Sequence, residues 1–83
     1  MKNHREIFTE RLKAIRTELR YTQTQLSEQI DVKKQSINDW EHGRAVPTFD
    51  VLVRVANFFN VSLDWLAGLS DDPKIHKRRK PEE

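Results

Sequence analysis

Residues 22–43, TQTQLSEQIDVKKQSINDWEHG, constrain this chain more than any other stretch. Thr22 and Gln25 make a Thr-x-x-Gln capping box, in which each side chain takes a backbone amide that a helix leaves unpaired at its start. Leu26 and Ile30 then face inward, and Asp31 can adopt the left-handed backbone that closes such a helix at modest cost. Val32 turns back toward the core. A second helix is expected from about Lys34 to Glu41, with Ile37 and Trp40 on its buried side and Gly43 in the left-handed position after its end. Lys33 stands where a Ser or Thr N-cap is usual, so this helix should start less sharply than the one before it. Two short helices at a tight corner, the second with one polar side, are what insertion into a DNA groove requires.

The rest of the chain supplies the support for that pair. Phe8, Leu12, Ile15 and Leu19 recur at i, i+4, i+7 and i+11, one stripe of a helix from about Arg5 to Arg20. Pro47-Thr48 begins a fourth helix, with Thr48 as cap, Asp50 in the first turn, and Leu52, Val55, Ala56 and Phe59 as its apolar stripe. Asn60 can supply its stop. Ser62 caps a short fifth helix, LDWLA, which Gly68 ends. No stretch reads as a strand, so the fold class is all-α. After Leu69 the composition shifts to SDDPKIHKRRKPEE, with one apolar residue, two prolines and a charge run. Residues 1–69 are therefore expected to form one domain and residues 70–83 a disordered, basic, flexible tail.

The residues Gln23, Leu26, Ile30, Val32, Ile37, Trp40, Glu41, Gly43 and Pro47, with FDVLVRVANFFNVSLDWLAG downstream, resemble the helix-turn-helix family of phage repressors, Cro proteins and related Xre-like bacterial regulators. The resemblance covers roughly residues 9–68 and rests on joint spacing, with no single diagnostic position. Two positions depart from it. Asp31 stands at the corner where the family usually has Gly, and Ser27 where a small Ala is usual. The resemblance implies a five-helix, lambda-repressor-like domain that binds duplex DNA. It places base reading on Lys34, Gln35 and Asp39, and implies a salt bridge between Arg16 and Glu41 that ties the first helix to the reading helix.

Side-chain chemistry can be read independently of that likeness. Successive helical residues turn by about 100°, which separates Ile37 and Trp40 from Lys34, Gln35, Asn38, Asp39 and His42. An ordinary solvated face would give the same segregation. It would favour Glu–Lys pairs, however, over side chains that carry both donor and acceptor. Gln35 and Asn38 are amides suited to adenine edges, Lys34 can donate to guanine, and Asp39 can accept from cytosine. Gln23, His42 and Arg44 are candidates for phosphate contact, Arg44 alternatively being an ordinary surface arginine. The run His76–Lys80 can track phosphates or simply be solvated.

The totals exclude several classes. A net charge of +2 is too small to argue for a polyanion by itself, so the placement of charge must carry that case. The chain has no cysteine, hence no disulfide or thiolate metal site, which fits a reducing cytoplasm. It shows no signal peptide and no membrane-length apolar run. The histidines His4, His42 and His76 are scattered, and no glycine-rich phosphate loop is present, so no metal, cofactor, small-molecule ligand or enzyme activity is expected.

The reading is thus a cytoplasmic, bacterial or phage-encoded regulator. It most readily acts as a repressor that binds a palindromic operator as a weak homodimer. Phe58, Trp65, Leu66 and Leu69 are the candidate dimer surface, unless the core absorbs them all. The alternatives are an antitoxin or anti-repressor that binds a protein, or the DNA-binding domain of a longer repressor.

Overall fold

The computed structural model describes residues 2–75. They form five helices: α1 (His4–Glu18), α2 (Gln23–Ile30), α3 (Lys34–Glu41), α4 (Phe49–Phe59) and α5 (Leu63–Ala67). No strand occurs among the described residues.

Local chemistry accounts for where the helices begin and end. Asn3 starts α1 through a full capping box with Glu6, its Oδ1 accepting from the Glu6 amide at 2.9 Å. The helix begins slightly before the expected Arg5, because the Asn3–Glu6 box closes its start ahead of the apolar stripe. Thr22 and Gln25 make the expected box on α2. Thr48 and Ser62 cap α4 and α5 with their hydroxyls. Asp31 (φ 57°) and Asn60 (φ 57°) take the left-handed backbone that ends α2 and α4, and Gly43 and Gly68 take it after α3 and α5. Ser27, at the family's Ala position, is buried with its hydroxyl donating to the Thr24 carbonyl at 2.6 Å, so the polar atom is satisfied inside α2.

Leu19 departs from expectation. It is the C-cap of α1 and is about half exposed, because Arg20 takes a left-handed backbone (φ 65°) and the helix stops two residues early.

The core draws from every helix: Phe8 and Leu12 of α1, Leu26 and Ile30 of α2, Ile37 and Trp40 of α3, Val55, Ala56 and Phe59 of α4, then Val61 and Leu66. α1 packs on α3 and α5, and α4 on α2 and α5. The corner pair is thereby held from behind on both sides. Two long cross-links add to this. Thr9 of α1 donates to the Trp40 carbonyl at 2.8 Å, and Arg54 of α4 donates to the Ile30 carbonyl at 2.7 Å, meeting an acceptor at the C-terminal end of α2.

The candidate dimer residues are mostly committed within this body. Leu66 is 0% exposed and is core, so it cannot present a surface to a second copy. It sits on the inward side of a one-turn helix that the sequence alone could not orient. Phe58 is half-buried in an edge-to-face trio with Tyr21 and Phe59, at 5.1 Å from each. Trp65 lies under the Arg11 guanidinium at 5.0 Å. Leu69 alone of the four is open, at 69% exposed. Phe49, which the sequence did not single out, is 75% exposed at the start of α4.

The segment after Leu69 does not leave the body at once. Arg11 donates to the Trp65 and Ser70 carbonyls and pairs with Asp71, and the Ser62 amide donates to the Pro73 carbonyl at 2.8 Å. Residues 70–75 therefore run along the domain, past the composition boundary. The basic run His76–Lys80 and the rest of the expected tail lie outside the described residues.

Candidate nucleic-acid interface

The sequence that makes α3 also decides what it shows to solvent. Ile37, Trp40 and Glu41 are buried, which leaves Lys34 and Gln35 exposed and Asn38 and Asp39 half-exposed on the opposite side. Lys33 and Lys34 stand together at the start of the helix, and Lys33 makes no capping hydrogen bond. The first turn has no acidic residue either. The positive end of the helix dipole thus carries two more positive charges and no side-chain cap, an arrangement that disfavours the helix on its own and favours an anion beside it. Lys33, which the sequence marks only as a missing cap, stands beside Lys34 at this helix start.

Behind this surface, Arg16 and Glu41 form a two-pronged pair, Nε to Oε2 at 2.6 Å and Nη2 to Oε1 at 2.9 Å. The Glu41 side chain is 2% exposed and that of Arg16 12%, so the pair is sealed. Arg16 also donates to the Tyr21 carbonyl at 2.7 Å, and Gln23 donates through Nε2 to Glu41 Oε1 at 3.0 Å. The charges are therefore met by three elements at once: α1, the start of α2, and α3.

The hydrogen bonds continue outward from there. Gln23 Oε1 accepts from Asn38 Nδ2 at 3.4 Å, and Asn38 Oδ1 accepts from Arg44 Nη2 at 2.6 Å. Arg44 Nε donates to Asp39 Oδ1 at 2.9 Å, and Gln35 Nε2 donates to the same oxygen at 3.0 Å. One chain of bonds thus joins Arg16, Glu41, Gln23, Asn38, Arg44, Asp39 and Gln35. The Arg44 and Gln35 hydrogen bonds hold the Asp39 carboxyl below the usual aspartate range, so it is an anion at neutral pH.

These contacts place the expected site residues. Lys34 and Gln35 face solvent, with Gln35 oriented by its bond to Asp39. Asn38 is engaged at both ends of its carboxamide and bridges Gln23 to Arg44. His42 is exposed, and its Nδ1–H donates to the Asn38 carbonyl at 2.8 Å, which leaves the other ring nitrogen outward. Gln23 is half-buried, drawn inward by Glu41. Arg44 is exposed and paired within its own neighbourhood. Among the described residues no group of three or more His, Cys, Asp or Glu gathers where it could hold a metal ion, and no helix is long and apolar enough to cross a membrane.

Comparison with known proteins adds a second kind of finding. A family model described as helix-turn-helix matches residues 12–66, more than half of the chain. The chain is 35% identical over 74 residues to the uncharacterized HTH-type transcriptional regulator YobD of Bacillus subtilis, covering 89% of this chain and 66% of that protein. It is 39% identical over 59 residues to the HTH-type transcriptional activator BcrR of Enterococcus faecalis, covering 71% of this chain and 29% of that protein. It therefore spans less than two thirds of each of these curated relatives. A solution structure of the SOS-response transcriptional repressor LexA from Eubacterium rectale superposes over 100% of this chain and 87% of that one, with TM-score 0.74 and 27% identity.

Proposed function

Because the chain belongs to the helix-turn-helix family, we propose that it binds duplex DNA sequence-specifically, with α3 in the major groove, and regulates transcription, most directly as a repressor that covers a promoter. The observation that carries this reading is the start of α3. A helix with no cap and two lysines at its positive end is stabilised by an anion, and it sits beside amide and carboxylate groups that can read base edges. Lys34 and Gln35 are proposed to reach bases, Lys33 and His42 to lie near phosphates, and the Arg16–Glu41 pair to fix the angle of α3. The family is not an enzyme family, and an acid–base role finds no support in these side chains.

One helix of eight residues reaches only a few base pairs, too little to select one site among many. The proposed form on DNA is therefore a dyad-related pair on half-sites about one helical turn apart. Phe49 and Leu69, the most open of the large apolar side chains among the described residues, are proposed for such a contact.

Selection from a random duplex pool tests the reading. A palindromic sequence should emerge, bound by two copies with affinity that falls steeply with salt. Gln35→Ala should then lose about 1–3 kcal/mol of discrimination at one base pair of each half-site. A promoter carrying the selected site should be silenced by the protein. No enrichment from the pool, or salt-independent binding, would overturn the proposal.

A further inference from the structure

Arg44 first reads as a phosphate clamp, a cation in the loop after the reading helix. Its contacts point elsewhere. Its planar fork spans two side chains of α3, Asp39 Oδ1 at 2.9 Å and Asn38 Oδ1 at 2.6 Å. Gln35 donates to the same Asp39 oxygen from the preceding turn. Two donors thus converge on Oδ1, and Oδ2 has no hydrogen-bond partner among the described residues. The carboxylate is locked at one oxygen and presents the other.

A lone carboxylate is a poor guest between phosphates, because like charges repel it from the groove. Beside Arg44 it is neutralised, yet Oδ2 still accepts. That is the chemistry needed to take a hydrogen bond from the N4 amine of cytosine. Asn38, tied to Gln23 and through it to the sealed Glu41, anchors the far side of the fork to the buried part of the domain.

From this geometry we infer that Arg44 is a positioning residue that determines specificity: it fixes and neutralises Asp39 so that the carboxylate can select a cytosine, and it does not grip a phosphate. The inference rests on the proposal that α3 reads DNA. It adds that Asp39 and Arg44 act as one unit.

The test uses the full chain and the duplex it selects from a random pool, with every base pair of one half-site substituted in turn. Affinities are measured for the unaltered protein, Asp39→Ala, Arg44→Ala, the double variant and Arg44→Lys. Asp39→Ala should lower the preference for one C·G pair about tenfold, and Arg44→Ala should lower it at the same pair by a similar factor. In the Asp39→Ala background, Arg44→Ala should change that preference by less than about twofold, because the two residues act on one step. Arg44→Lys should keep general affinity but not restore discrimination, since an ammonium cannot span Asp39 and Asn38 as the guanidinium does.

The inference is overturned if Arg44→Ala weakens every duplex alike by the same factor in both backgrounds, or if Arg44→Lys restores full discrimination. The first result makes Arg44 a phosphate contact and the second shows that a positive charge suffices without the fork; both leave the DNA reading intact. If the unaltered protein selects no duplex, the proposed function itself fails. Arg44 is exposed, so its variants should fold, and matched thermal unfolding checks this.

Discussion

α2 and α3 are both eight residues long and lie on either side of one corner, yet they are stabilised in opposite ways. α2 carries its own instructions. A capping box closes its start, Asp31 closes its end, and Leu26 and Ile30 bury its inner side. α3 has no side-chain cap and two lysines at its positive end. An eight-residue helix is marginal in water even with good ends. α3 is therefore held from behind, by Ile37, Trp40 and the sealed Arg16–Glu41 pair. The difference teaches that the domain relieves its outward helix of the duty to stabilise itself, which frees the start of that helix for an anionic partner.

The comparison breaks first at the buried pair. Arg16→Met should remove about 3 kcal/mol from the unfolding free energy, because it leaves Glu41 buried with only Gln23 to serve it. Arg16→Met with Glu41→Leu should recover much of that loss. Urea unfolding of the four members of the cycle measures it. Additive losses in the two single variants would mean that α3 does not depend on the pair.

A smaller effect is expected at the cap of α2. Thr22→Ala should cost about 1 kcal/mol, and hydrogen exchange should rise in the first turn of α2 before it rises in α3. Equal protection in both helices would remove the proposed contrast.

How far this contrast could be read in advance differs between the two helices. Their bounds, the left-handed Asp31 and the bare start of α3 follow from local chemistry, which adjacent residues express. Asn3 with Glu6 was equally legible as a cap but lay ahead of the first apolar residue of the stripe. The apolar periodicity carried Leu19 into α1 because a repeat does not encode where a left-handed residue such as Arg20 interrupts it. Leu66 reads from the sequence as either dimer surface or core, because a single turn has too few residues to define a face, and the fold places it in the core. The bonds from Arg11 to Ser70 and from Asn38 to Gln23 join positions far apart in the chain, and no spacing rule connects them. The Arg16–Glu41 bridge is legible through the family resemblance, whereas the bonds that run from Gln23 through Asn38 and Arg44 to Asp39 require the fold.

The smallest expected effect concerns acid. Asp39 titrates below its ordinary value in the folded chain, so its pairing contributes above the usual aspartate pKa of about 3.9 and is lost only as pH falls through the lower folded value. Between about pH 5 and 8 the contacts of Asp39 should not change. Arg44→Ala should move its carboxyl titration upward, which an NMR titration of side-chain carbons follows. No movement would show that Arg44 does not hold Asp39.

The most direct measurement pairs stability with binding in a single variant, Lys33→Ser. A serine at this position supplies the missing cap and removes one positive charge from the helix start, so the domain should gain about 1 kcal/mol of stability. The same change should weaken binding to the selected duplex and flatten its salt dependence by about one unit. A more stable protein that binds DNA less well would show that the start of α3 is left open for its partner. A variant that gains stability and keeps both its affinity and its salt dependence would contradict that claim.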